Sequence, residues 1–269
     1  MKVATFNING IKARLAALID WLDRAAPDVV VLQEIKSLDE NFPAAEIEAR
    51  GYAVETHGQK SFNGVAILSK LPMGDVARGL PGDEDDDHAR WIEATVTGKH
   101  RSVRVCGLYL PNGNPVSFDA AGRPEATGKY GYKLSWMARL EARARDLRAA
   151  EMPALMAGDY NVIPQEEDAA NPKEWVRDAL FLLDSRAAFR RVLNLGFTEA
   201  IGTRQPGPGH YTFWDYQARS WERNNGIRID HVLLTPEAAD LLTDAGIDRD
   251  ERDREKPSDH VPVWVDLAA

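Results

Sequence analysis

The chain has 269 residues, of which 44% are hydrophobic and 28% charged, and a net charge of −9. These proportions exclude a disordered chain, a collagen-like chain and a disulfide scaffold, and the single cysteine, Cys106, has no intrachain partner. The acidic balance argues against a protein that coats nucleic acid non-specifically, while leaving room for one local basic face.

The first element is a strand, Val3–Ile8, with no signal-peptide shape before it. A helix over Ile11–Ala25 follows, with Leu15, Leu18, Ile19 and Leu22 on one face and Pro27 closing it. Further strands are expected at Val29–Gln33, Val65–Ser69, Trp91–Val96 and Val103–Leu110, the last two as a hairpin. Between them, Asp83–Asp87 is a run of five acids that suits a solvated loop. Cys106, inside an apolar strand, suits a buried small side chain.

Pro111–Gly131 carries four glycines and three prolines without periodicity, which makes it an unusually long loop. Leu134, Met137, Leu140, Ala144 and Leu147 then mark a helical face. Ala154–Gly158 is a strand, Ala179–Leu195 is helical, and Ile229–Leu234 and Val261–Asp266 are the last strands. Strands mixed with helices and hairpins imply an α/β fold with a mixed sheet, or a pair of sheets, covered by helices. No apolar run approaches the ~18 residues of a membrane span. One domain over residues 1–269, without a membrane and in the cytoplasm, is the expectation.

Polar residues recur where strands end. Asn7 lies near the end of the first strand and Glu34 follows the second, while Tyr109 closes the fifth with Asn112 just beyond. Asp159 and Asn161 follow the sixth, Asp230 lies in the seventh, and Asp259-His260 precedes the eighth. Asn and Asp also serve turns, so no single one of these carries a function. Together, on strands that lie side by side, they can converge in one crevice. The chain has no His-Glu-x-x-His, Gly-x-Ser-x-Gly or phosphate-binding Gly-x-x-x-x-Gly-Lys sequence. Carboxylates and carboxamides are hard oxygen ligands suited to Mg²⁺, with Mn²⁺ as a substitute. A hard metal, an Asp–His pair and a phenol suit phosphoryl transfer to water.

Eight segments, in order along nearly the whole chain, resemble the exonuclease III family of abasic-site endonucleases within the endonuclease/exonuclease/phosphatase superfamily. They are Thr5–Gly10, Leu32–Lys36, Asn63–Ile67, Tyr109–Gly113, Gly158–Asn161, Tyr211–Tyr216, Gly226–His231 and Lys256–Pro262. The resemblance implies a four-layer α/β sandwich of two packed sheets flanked by helices. It implies a Mg²⁺-dependent phosphodiesterase that cuts duplex DNA 5′ of an abasic site, with 3′-to-5′ exonuclease and 3′-phosphatase activity on blocked 3′ ends. By the same resemblance, Asn7, Glu34 and Asp259 hold the metal. Asp159 prepares the water, and Asn161, Tyr109 and Asn112 contact the phosphate. His260, oriented by Asp230, donates to a phosphate oxygen. Phe213, Trp214, Ile227 and Ile229 form the abasic pocket, and the family favours a monomer.

For a duplex-binding face the basic candidates are Lys36, Arg90 and Arg228, with Lys60, Lys129, Lys133, Arg219 and Arg223 as further possibilities. The loop Asn114–Lys129 is longer than the family pattern, and Asn9 stands where some relatives carry Asp. Two rival readings remain: another phosphatase or phosphodiesterase of the superfamily, and a non-catalytic homologue that binds DNA.

Overall fold

The structure, a computed structural model, describes Met1–Ala269. In chain order the first half contains β1 (Lys2–Asn7), α1 (Ile11–Ala25), β2 (Val29–Gln33), α2 (Ala44–Glu48), β3 (Ala53–His57), β4 (Val65–Ser69) and β5 (Met73–Arg78). Then come β6 (Trp91–Thr97), β7 (Ser102–Tyr109), the two-residue strands β8 (Ser117–Phe118) and β9 (Pro124–Glu125), and α3 (Gly128–Ala149). The remainder holds β10 (Ala154–Asp159), α4 (Leu183–Leu193), β11 (Thr198–Glu199), α5 (Ala200–Arg204), β12 (Asp230–Leu234), α6 (Pro236–Ala239), β13 (Leu242–Ile247) and β14 (Val263–Leu267).

Two six-stranded mixed sheets result, in the orders β13-β14-β1-β2-β4-β3 and β11-β12-β10-β7-β6-β5. Period-two alternation explains the layers. Val3, Val29, Val31, Val65 and Ile67 of the first sheet point inward and pack on Val103, Val105, Leu155 and Val232 of the second. Their alternate neighbours Ala4, Phe6, Val30, Leu32 and Leu68 point outward onto Leu18, Trp21 and Leu22 of α1. On the far side Trp91, Cys106, Leu108 and Met156 meet Trp136, Met137 and Leu140 of α3 and Phe189 of α4. Helix, sheet, sheet, helix is the four-layer sandwich that the resemblance implied. Strands buried on both faces carry no polar alternation, which is why β2 is Val-Val-Val-Leu-Gln. The two sheets approach closely at Gly107, where a Cβ would lie 2.3 Å from a Val31 methyl.

Some boundaries and elements differ from the sequence reading. Helix α1 has the expected limits, and β6–β7 is the expected hairpin. The strands β3, β5 and β13 were not expected; β3 and β5 close one edge of each sheet and β13 the opposite edge of the first, and all carry polar or half-exposed residues that blur the pattern. The α4 helix is shorter than Ala179–Leu195. The loop Pro111–Gly131 contains the small β8–β9 hairpin and the first turn of α3. Within the acidic run only Asp86 is drawn inward, accepting hydrogen bonds from Tyr132 and Arg139, while its neighbours are exposed. Burial opposes the Asp86 charge, but the hydrogen bonds from Arg139, His88 and Tyr132 together outweigh it and hold the carboxyl at about 2. Cys106 is buried with its Sγ 3.3 Å from Glu93, and burial pushes its thiol up, which fits an inert core residue.

Candidate active site

Strand register brings the polar residues together. β1 runs parallel to β2 with Asn7 opposite Gln33, so Asn7 and Glu34 emerge at the same end of the first sheet. In the second sheet β10 lies between β7 and β12, with Asp159 opposite Tyr109 on one side and Asp230 on the other. Gly158 permits this pairing, because a Cβ there would lie 1.9 Å from the Leu108 carbonyl oxygen. His260, just before β14, completes the group. The two sheets therefore present their side chains across one rim.

A cavity of about 320 Å³ opens there. Glu34, Tyr109, Asn112, Asp159, Asn161, Asp259 and His260 all line it. Asn7 reaches across the two sheets, its amide nitrogen 3.0 Å from a Glu34 oxygen and 3.0 Å from an Asp159 oxygen. Its own oxygen accepts the Asn9 backbone N–H at 3.1 Å. Asn7 thus braces the two carboxylates through its amide nitrogen in this geometry. Asn9 donates to Asp259 at 3.0 Å and accepts from the Lys36 ammonium at 2.5 Å. Glu34 itself sits at a left-handed φ of 48°, a strained setting for a residue with a Cβ and one that clusters at functional sites.

The Asp159–His260–Asp230 line is the electrostatic centre. His260 Nδ1 is 2.8 Å from Asp230 Oδ2, and Nε2 is 3.7 Å from Asp159 Oδ2. Burial works against charge on the ring, but the Asp230 and Asp159 carboxylates outweigh it and push His260 up to about 10. Burial also pushes Asp159 up, against the pull of His260. The Asn161 backbone N–H fixes the other Asp159 oxygen at 2.8 Å. Burial likewise opposes the Glu34 charge, yet Lys36, 2.9 Å away, and Asn7 hold it below the usual carboxylate range. Tyr109 is kept a phenol by burial and by the nearby Glu34 and Asp159 charges.

Glu34, Asp159 and His260 offer atoms within 4.8 Å of one another. His260, raised and committed to Asp230, is a donor and not a free imidazole ligand. The oxygen donors that remain, Glu34 and Asp159 with Asp259 on the same wall, fit a hard divalent cation.

The other assignments divide. Phe213 and Ile229 line the cavity, with the Phe213 ring 4.9 Å from that of His260. Trp214 does not: it is fully buried on the opposite side of its extended segment, packed edge-on against Tyr211 and Trp221. Ile227 lies behind the wall, bridged through its backbone to Phe213. Trp175 and Leu180 occupy the wall instead. Neither ends a strand, so strand-end reasoning missed them. Arg228 is not a surface cation, because its guanidinium is buried between Asp168 and Glu199, at 2.7 and 2.8 Å. Lys133 is wholly buried as well. Lys36 and Arg90 do border the cavity residues, Lys36 on Glu34 and Arg90 over the Tyr109 ring at 4.9 Å. Lys60, Lys129, Arg219 and Arg223 are exposed.

Residues 4–260 match the sequence profile of the Endonuclease/Exonuclease/phosphatase family. The chain is 34% identical to exodeoxyribonuclease III of Haemophilus influenzae over 99% of this chain and 100% of that one. Among solved structures, an AP endonuclease from Archaeoglobus fulgidus superposes with a TM-score of 0.90 at 35% identity, covering 100% of both chains. The 3′ phosphatase NExo from Neisseria, bound to a product DNA hairpin, superposes with a TM-score of 0.91 at 35% identity, again over 100% of both.

Proposed function

Since the chain belongs to the endonuclease/exonuclease/phosphatase family, we propose that it is a DNA repair nuclease that cuts duplex DNA 5′ of abasic sites, trims 3′ ends and removes 3′ phosphates. It works as a single unit over residues 1–269, as a cytoplasmic monomer on DNA, without a membrane; no helix is long and apolar enough to cross one. The observation that carries the reading is the buried His260 held between Asp230 and Asp159 in the same cavity as Glu34 and Phe213.

Glu34 with Asp259 would hold a divalent cation, Mg²⁺ in this reading and Mn²⁺ as its substitute, which supplies positive charge to the scissile phosphate. Asp159 takes a proton from the attacking water, whose oxygen bonds to phosphorus as the P–O3′ bond breaks and the leaving O3′ takes up a proton from solvent to become a hydroxyl. The alignment of Asp159 comes from the Asn161 N–H and the Asn7 amide. His260, protonated at neutral pH, donates Nε2–H to a phosphate oxygen, and Asp230 keeps the ring oriented. Tyr109, which stays a phenol, donates a hydrogen bond from its O–H to the phosphate. Asn112 and Asn161, linked at 3.1 Å, position a phosphate oxygen. Phe213, Ile229 and Trp175 enclose a base-free sugar, whose flipping costs less than that of a stacked nucleotide. Lys36 and Arg90 meet flanking phosphates.

The test is cleavage of an end-labelled abasic duplex, an intact duplex and a 3′-phosphate duplex, each with and without Mg²⁺. Mg²⁺-dependent incision at the abasic site supports the proposal. Hydrolysis of a non-nucleic phosphate ester alone would replace it with another phosphatase of the family.

A further inference from the structure

Lys133 is a charged side chain with no surface exposure, buried beneath the site and unused by the chemistry above. It lies on α3, just beyond the long loop that follows β7. Its ammonium donates to the Asn112 carbonyl at 3.0 Å and to the Asn161 carbonyl at 2.5 Å. Those residues come from different strand-end loops, after β7 and after β10. Above the lysine their side chains meet, Asn112 Nδ2 to Asn161 Oδ1 at 3.1 Å. The stem is accommodated by Gly113, at φ 92°, where a Cβ would lie 2.6 Å from Lys133 Cδ.

We infer that Lys133 is a positioning residue that ties the two loops from below and sets the spacing of the Asn112 and Asn161 carboxamides against the phosphate. The inference rests on the function proposed above. Burying an ammonium is costly unless it is hydrogen-bonded, and a methionine would fill the same space without that cost. Burial lowers the Lys133 amine to about 7, with Asp178 and Asp159 pulling it the other way. A neutral amine still carries two N–H groups, enough for both carbonyls, so the tie survives either protonation state.

The experiment compares wild type, Lys133→Met, Lys133→Gln, Asn112→Ala and the Lys133→Met/Asn112→Ala double variant on an abasic duplex, with rates normalised to the folded fraction. For Lys133→Met, kcat should fall by about 10²-fold, since a misplacement of about 1 Å carries that cost, while KM moves far less. Lys133→Gln, which keeps a donor, should recover part of the loss. The double variant should lose less than the product of the single losses, because Lys133 acts partly through Asn112. A Lys133→Met rate equal to wild type, a strictly multiplicative double variant, or failure of both Lys133 variants to fold would overturn the inference. A wild-type protein that leaves the abasic duplex intact would reject the proposed function itself, and this inference with it.

Discussion

His260 and Asp230 face each other across 2.8 Å, ring nitrogen to carboxylate oxygen, and both are almost wholly removed from solvent. The pair joins two parts of the chain, β12 and the segment before β14. It gives the site a cation that persists well above neutral pH, because Asp230 and Asp159 outweigh the burial penalty on the ring.

The metal-free protein should therefore show a His260-dependent loss of stability at alkaline pH. The folded ring titrates near 10 against an ordinary 6.5, so its contribution is complete below pH 6.5 and is lost as pH rises through about 10. Asp230→Asn removes the charge that raises it and should shift this loss to lower pH. Melting temperatures of both proteins across pH 6 to 11 check this; parallel curves would show that Asp230 does not hold the proton on His260.

Arg228→Ala should act on stability and not on DNA. The substitution strands the buried carboxylates of Asp168 and Glu199, at a cost of about 3–5 kcal/mol. Urea denaturation reads the stability, and titration of the folded protein with a fluorescent duplex reads the affinity. Weaker DNA binding with unchanged stability would restore Arg228 as a phosphate contact.

Glu34→Gln should raise the Mg²⁺ concentration needed for half-maximal cleavage by about tenfold or more, since a carboxamide keeps the shape but loses the anionic charge. Excess Mg²⁺ or Mn²⁺ should recover part of the rate. An unchanged metal titration would place the cation elsewhere.

Trp175→Ala and Phe213→Ala should each reduce the ratio of abasic to intact-duplex cleavage, on the order of tenfold, by opening the cavity wall. Trp214→Ala should instead destabilise the fold with that ratio unchanged, since its indole lies in the core. Parallel kinetics on the two substrates separate these outcomes.

Much of this was legible because a strand's chemistry is local. The apolar runs located the central strands, and the polar residues ending them had to share a rim once β1 paired with β2 and β10 with β7. Phe213 and Trp214 mark where that reasoning stops. Adjacent residues of an extended segment point to opposite sides, so one wall position excluded the other. Arg228, between Ile227 and Ile229, carries no sequence sign of its two buried acids, which come from Asp168 and Glu199 far along the chain. Lys133 on α3 looked like one more surface cation, because a helical periodicity cannot reveal which carbonyls lie beneath the helix. Trp175 follows Pro172 in a single 3₁₀ turn that has no periodicity at all.

The most direct test of the account is single-turnover cleavage of a labelled abasic duplex by Asp159→Asn in saturating Mg²⁺, at enzyme concentrations that saturate the DNA. The substitution keeps the shape between Asn7 and Asn161 and removes the charge that takes the proton from water. The account predicts intact DNA binding and a rate lower by about 10²–10⁴-fold, the usual range for a general base. A rate near that of wild type would contradict it and would move the water-activating group away from Asp159.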